Sequence, residues 1–229
     1  MTILVNDINL FYTEEGTGTP LIFLHGNGED YSIFKNSISF FSKKYRVIAI
    51  DSRGHGQSDI GNRKLSIPIM AEDIIEFIKK LELKDVIMIG FSDGGNIVLE
   101  VASAIPNTTK KIVIVGANTK YDGLKLWVQI GIRVSYFIFS LLSFIPSYSL
   151  KQKQYSIMLH QPEISYQKIS SISAETLIIV GENDMIKQLH TEYIQQSIKN
   201  SKLLIIPNCN HFPFKNKNFE INNIIVNYL

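Results

Sequence analysis

The chain has little that would tie it to a special environment. It holds one cysteine, Cys209, so no intramolecular disulfide can form. That suits a reducing compartment, and a cytoplasmic location is the expectation. Cys209 follows an apolar strand and is expected to be a small buried residue rather than a reactive thiol. The charges nearly balance at +2, with no long basic run. The chain as a whole therefore shows no electrostatic preference for nucleic acid or an anionic membrane. The opening MTILVNDINLFY lacks a basic region followed by an apolar core, so no secretory signal is expected. There is no metal-ligand cluster, dinucleotide fingerprint, internal repeat, low-complexity segment or linker. No cofactor and no metal are expected. What remains is a globular composition, 45% hydrophobic and 19% charged, in 229 residues, enough for one large α/β domain.

The organising stretch is Val86 to Val98, VIMIGFSDGGNIV. It reads as a buried strand, a sharp turn and a helix. Gly90-Phe91-Ser92-Asp93-Gly94 matches G-x-S-x-G, and Ile97, Val98 and Val101 continue at helical spacing. Such a turn holds its serine in a strained conformation with the hydroxyl raised above a sheet. The glycines are needed where a side chain would clash, and the helix start aims free N–H groups at the same point.

Further strands are expected at Thr2–Val5, Ile8–Thr13, Leu21–Leu24, Tyr45–Ile50, Lys111–Val115, Thr176–Val180 and Lys202–Ile206. Helices are expected around Ser32–Phe41, from Ser66 and Pro68 onward, near His190–Ile198 and at Phe219–Leu229. This alternation predicts an α/β fold with a mostly parallel eight-stranded sheet flanked by helices. One stretch breaks it. Residues 120–174 are expected to form a helical lid inserted into a core of residues 1–119 and 175–229. Within the lid, Leu126 to Ile145 is long and apolar enough to suggest a membrane span. Arg133 and the sheet strands on either side argue against that. The expectation is one or two helices over the sheet's carboxyl edge. Leu126, Trp127, Ile130, Val134, Phe137, Ile138, Leu141 and Leu142 are expected partly to pack on the domain and partly to line a pocket above Ser92, with lipid contact open to the same surface.

In a parallel sheet the loops at the carboxyl ends of the strands gather on one edge. The loops holding His25 to Gly28, Ser92, Asp184 and His211 all follow strands and should share that edge. Serine hydrolysis needs such a set: a base for the serine proton, an acid to orient the base, and donors for the oxyanion. Among five histidines, His25 and His55 lie in glycine-flanked loops, His160 in the lid and His190 in a helix. His211 alone lies beyond the last strand. Asp184 has rivals in Glu182 and Asp122. Asp51 and Arg53 read as loop-shaping residues.

The motifs HGNG, DSRGHGQS, GFSDGG, GENDMI and NCNHFPF, in that order, resemble the α/β-hydrolase superfamily, specifically its small lid-bearing esterase and peptidase-like members. The resemblance covers nearly the whole chain. It implies Ser92 as nucleophile, His211 as base and Asp184 as acid, with the backbone N–H groups of Asn27 and Asp93 as oxyanion hole. It implies that His25 shapes the oxyanion loop. Asp93 places a carboxylate beside the nucleophile, so its side chain is expected to point away. The implied activity is cleavage of a small, largely apolar carboxylic ester through an acyl-enzyme, with a small-molecule acyl substrate. Carbon–carbon bond or amide hydrolysis by the same triad, or ligand binding without catalysis, are the alternatives.

Overall fold

Asn6 turns the chain at φ 48° and pairs the first two strands. The computed structural model describes residues 1–229. Its strands are β1 (Thr2–Val5), β2 (Ile8–Glu15), β3 (Pro20–Leu24), β4 (Arg46–Ile50), β5 (Val86–Phe91), β6 (Thr109–Val115), β7 (Glu175–Gly181) and β8 (Ser201–Ile206). They form one eight-stranded sheet in the order β1-β2-β4-β3-β5-β6-β7-β8. β1 and β2 run antiparallel to each other, and β2 to β4; every other pairing is parallel. The expected mostly parallel sheet is therefore present.

Period-two alternation divides each central strand between two cores. Ile22, Leu24 and Met88 face one side, where α2 (Ile67–Lys80) and α3 (Asp93–Ala104) lie. Leu21, Phe23 and Ile89 face the other, where α1 (Lys35–Phe41) and α9 (Asn218–Tyr228) pack with Phe34, Phe41, Ile221 and Ile225. The predicted start of α2 is observed: the Ser66 side chain accepts from the Ile69 N–H, with proline in the first turn. Met70, Ile74 and Ile78 are its buried stripe. The remaining core helices are α7 (Gln188–Ser197) and the short α8 (Pro213–Asn216). Four residues behind a proline give no helical period, so α8 left no trace in the sequence pattern.

Between β6 and β7 the chain inserts α4 (Leu126–Leu141), α5 (Pro146–His160) and α6 (Tyr166–Ser170). Here one expectation fails. Of α4 only Val128 and Ile132 are buried, in a small cluster with Leu124 and Ile186. Leu126, Trp127, Ile130, Val134, Phe137 and Leu141 are each more than half exposed, and none lines the cavity at Ser92. α4 carries apolar side chains nearly all the way round, and it seats itself by the narrow Val128–Ile132 ridge. The place above the sheet edge is taken by the end of α5 and the segment after it, through Met158, Gln161 and Pro162. No helix is long and apolar enough to cross a membrane.

Candidate active site

The turn between β5 and α3 is as tight as its glycines suggest. A Cβ on Gly90 would lie 2.3 Å from the Gly94 carbonyl oxygen, and one on Gly94 would lie 2.0 Å from that of Leu24. Ser92 sits between them at φ 52°, ψ −119°, a left-handed conformation that costs a non-glycine residue free energy. Two backbone hydrogen bonds hold it there. Its N–H donates to Val115 O at 2.8 Å, and its carbonyl accepts the Asn96 N–H at 3.1 Å.

Ser92 Oγ stands 3.1 Å from His211 Nε2. On the other side of the ring, His211 Nδ1 lies 2.8 Å from Asp184 Oδ1. These three side chains, 119 and 27 positions apart along the chain, thus form one continuous line. Asp184 Oδ1 also accepts the Ile186 N–H at 3.0 Å. Burial pushes the Asp184 carboxyl up, but the hydrogen bond from His211 and that residue's charge outweigh it and carry the group below its ordinary value. Both Asp184 and His211 are nearly inaccessible to solvent.

Neither rival acid bonds to His211. Glu182 Oε2 accepts the Asn208 N–H at 2.8 Å. Asp122 is exposed, and only its backbone carbonyl is engaged, accepting from Lys187 Nζ. The other histidines also have local duties. His25 Nδ1 donates to Gly26 O at 2.7 Å and its Nε2 accepts the Ser52 N–H at 3.0 Å. This clamps the 25–28 loop to the loop after β4, the role expected of it. Burial pulls His25 and His55 down to about 4, so both rings are neutral at neutral pH. His190 Nε2 accepts the Thr119 N–H, and His160 lies edge-on to Tyr136. Asp51 accepts from Tyr31 N and Gln57 N, while fully buried Arg53 pairs with Asp73 and Asp7.

The N–H groups of Asn27 and Asp93 donate to no protein acceptor. That of Asp93 is free because the first turn of a helix has no intrahelical partner. The Asp93 side chain turns back into α3, where Oδ1 accepts from Asn96 Nδ2 at 3.1 Å. Its Oδ2 is buried without a donor. The residue borders a small cavity of about 10 Å³ with His25, Ser52 and His55. Burial raises its carboxyl to about 6, against small lowering effects from Asn96 and His211.

Three contributors escaped the sequence reading. Gly116, at φ 62°, is one: a Cβ there would come within 2.8 Å of the His211 ring. Its signal was available, because it follows β6 as Gly90 follows most of β5. The second is Asn96, whose Oδ1 accepts the Asn118 N–H at 3.0 Å while its Nδ2 holds Asp93. The third is the Asn27 side chain, whose Nδ2 donates to Gln154 O in α5 at 2.8 Å. Neither long-range pairing has a sequence signature.

A small cavity of about 20 Å³ opens onto Ser92 and His211. Leu124, Met158, Pro162, Met185 and Ile186 form its apolar wall, with Asn118 and Gln161 as polar members. A larger, polar groove of about 480 Å³ runs between Gly28–Asp30 and Lys153–Gln154, but it includes none of Ser92, Asp184 and His211. No three His, Cys, Asp or Glu side chains converge to hold a metal ion.

Similarities to known proteins agree with this architecture. A mouse protein described as serine hydrolase BPHL is 27% identical over 250 positions, covering 99% of this chain and 85% of that one. A protein described as Est816, an N-acyl homoserine lactone degrading enzyme, superposes with a TM-score of 0.84 at 20% identity, over 100% of both chains. A meta-cleavage product hydrolase from Pseudomonas fluorescens superposes with a TM-score of 0.80 at 22% identity, over 100% of this chain and 96% of that one. At such identities the superpositions speak for the fold alone. The family described as alpha/beta hydrolase fold matches residues 19–138, more than half of the sequence, and the chain belongs to that family.

Proposed function

We propose that the protein is a serine hydrolase that cleaves a small, largely apolar carboxylic ester. The observation that carries this reading is the unbroken line from Ser92 Oγ through His211 to Asp184 Oδ1, at 3.1 and 2.8 Å. In the proposed reaction Ser92 Oγ attacks the ester carbonyl while His211 Nε2 takes its proton. Asp184 holds the Nδ1–H tautomer and stabilises the imidazolium. The carbonyl oxygen gathers negative charge and is met by the N–H groups of Asn27 and Asp93, which need no reorganisation. His211 returns the proton to the leaving alkoxide, giving the alcohol and an acyl-Ser92 ester. Water, deprotonated by the same histidine, then releases the acid.

The lining of the cavity supports the substrate class. It holds about 20 Å³, room for little more than one water, so an acyl group enters only as the Met158–Pro162 segment gives way. Most of its wall is apolar, which suits small acyl groups and disfavours charged ones. Residues 120–174 act as the lid in this reading, with α5 rather than α4 over the nucleophile. The lone buried Cys209 fits a reducing, cytoplasmic setting.

Carbon–carbon bond hydrolysis is the second reading, since it would use the same line of Ser92, His211 and Asp184. Two measurements separate the possibilities. A fluorophosphonate probe should label Ser92, and the label should vanish in Ser92→Ala. A panel of esters, amides, lactones and vinylogous diketones should give its largest kcat/KM with short esters. Labelling without ester turnover would move the assignment to another bond, and absence of both would leave a ligand-binding role.

A further inference from the structure

The helix α4 leaves on the outside what the sequence suggested it would bury. Leu126, Trp127, Ile130, Val134, Phe137 and Leu141 recur at steps of one, three and four and are each more than half exposed. At 100° per residue they fall within about a third of the helix circumference. The face runs the length of a 16-residue helix, about 24 Å. It continues into Phe144, which is 79% exposed. Contiguous apolar surface of this extent marks a place of contact.

The charges beside it choose the contact. Between Asp122 and Glu163 the chain has no acidic residue. It has four fixed cations there, Lys125, Arg133, Lys151 and Lys153, the last three of them exposed. Arg133 lies three positions after Ile130 and four before Phe137, so it borders the apolar face. Lys151, on α5, lies 5.5 Å from the ring centre of Phe139 on α4. The balanced charge of the whole chain conceals this local excess. A second copy presenting the same face would set cation against cation. An anionic lipid surface would meet apolar side chains with acyl chains and cations with headgroups. Trp127, the chain's single tryptophan, stands near one end of the face, the residue type that favours a bilayer's interfacial layer.

We propose that the exposed face of α4 docks on the surface of an anionic lipid bilayer. The helix lies along the interface and does not cross it. The proposal does not depend on the catalytic reading, since none of these residues touches the cavity above Ser92.

The lone tryptophan makes the test direct. The full-length protein is mixed with vesicles of equal parts phosphatidylglycerol and phosphatidylcholine, and separately with pure phosphatidylcholine. Trp127 emission should shift to the blue, and the protein should sediment, with the anionic vesicles at low salt. Each cation near the surface contributes roughly fivefold, so the preference for the anionic vesicles should be on the order of 100-fold and should shrink in high salt. Ile130→Asp/Phe137→Asp should abolish sedimentation while leaving the melting transition in place. Lys151→Gln/Lys153→Gln should lower the anionic preference by roughly 25-fold. Absence of sedimentation with both vesicles, or sedimentation untouched by the two aspartates, overturns the proposal. So does a dimer in solution that hides Trp127 and is split by those aspartates, which assigns the face to a second copy of this chain.

Discussion

Asp93 is an anion-former held beside the atom at which an oxyanion would develop, and its burial has a measurable cost. The carboxyl titrates at about 6 in the folded chain against an ordinary 3.8. Below pH 4 both the folded and unfolded chains carry the proton, and burial costs nothing electrostatic. Between these values the unfolded chain ionises first, so the folded state binds more protons and stability falls as pH rises. Above 6 the cost is complete, about 3 kcal/mol. Asp93→Asn removes the titration while keeping an oxygen to accept from Asn96. The new amide N–H lacks a partner if the neighbours stay where they are, which takes back about 1 kcal/mol. The net gain above pH 6 is therefore about 2 kcal/mol, or an increase in Tm of roughly 4–8 °C for a chain of this length. The assay is urea unfolding of both proteins from pH 4 to 8. Contributions from His25 and His55 cancel to first order in the difference between them. The asparagine variant should be slightly the less stable at pH 4; the curves should cross between pH 4 and 5, separate up to pH 6 and run parallel beyond. A constant offset across the range, or an asparagine variant that is the less stable at pH 8, would refute the reasoning.

Asp184→Asn should lower kcat by roughly 10⁴, because it offers the imidazole the wrong partner, while Asp122→Asn should leave kcat within about twofold. Steady-state hydrolysis by the two variants checks this, and a severe Asp122 variant would move the acid to the β6 loop. Across p-nitrophenyl esters, kcat/KM should rise by roughly fourfold per added methylene over the first few and then fall once the apolar wall of Leu124, Met158, Met185 and Ile186 is covered. A rise continuing to decanoate would refute a short acyl site. Gly116→Val sets a branched side chain against the His211 ring at a positive φ and should cost about 2 kcal/mol of stability, with a larger proportional loss of fluorophosphonate labelling. Denaturant midpoints and labelling rates would check it, and an unchanged labelling rate would show that the ring has room.

Much of the architecture was legible because burial on both faces writes itself as short apolar runs. β3 and β5 are examples, bounded by glycines whose need is steric. The candidate site was legible for the same reason: Ser92, Asp184 and His211 each follow a strand, and strand ends of a parallel sheet converge. The orientation of α4 was not. Periodicity says which residues share a face, and it does not say which face turns inward. With Val128 and Ile132 on one side and Trp127, Ile130 and Phe137 on the other, nothing polar marked the outside. Contacts such as Asn96 to Asn118, or Asn27 to Gln154, join positions whose types carry no message about each other.

The bond from Asn27 Nδ2 to Gln154 O fastens the 25–28 loop to α5. A substrate wider than the cavity enters only if α5 swings aside. That swing must either break the bond or drag with it the loop that supplies a free N–H. Amide exchange in the two segments should therefore rise and fall together across variants of the insertion; protection in one without the other would uncouple them. Under the proposed function, admission of substrate and placement of the Asn27 N–H would then be linked through one latch.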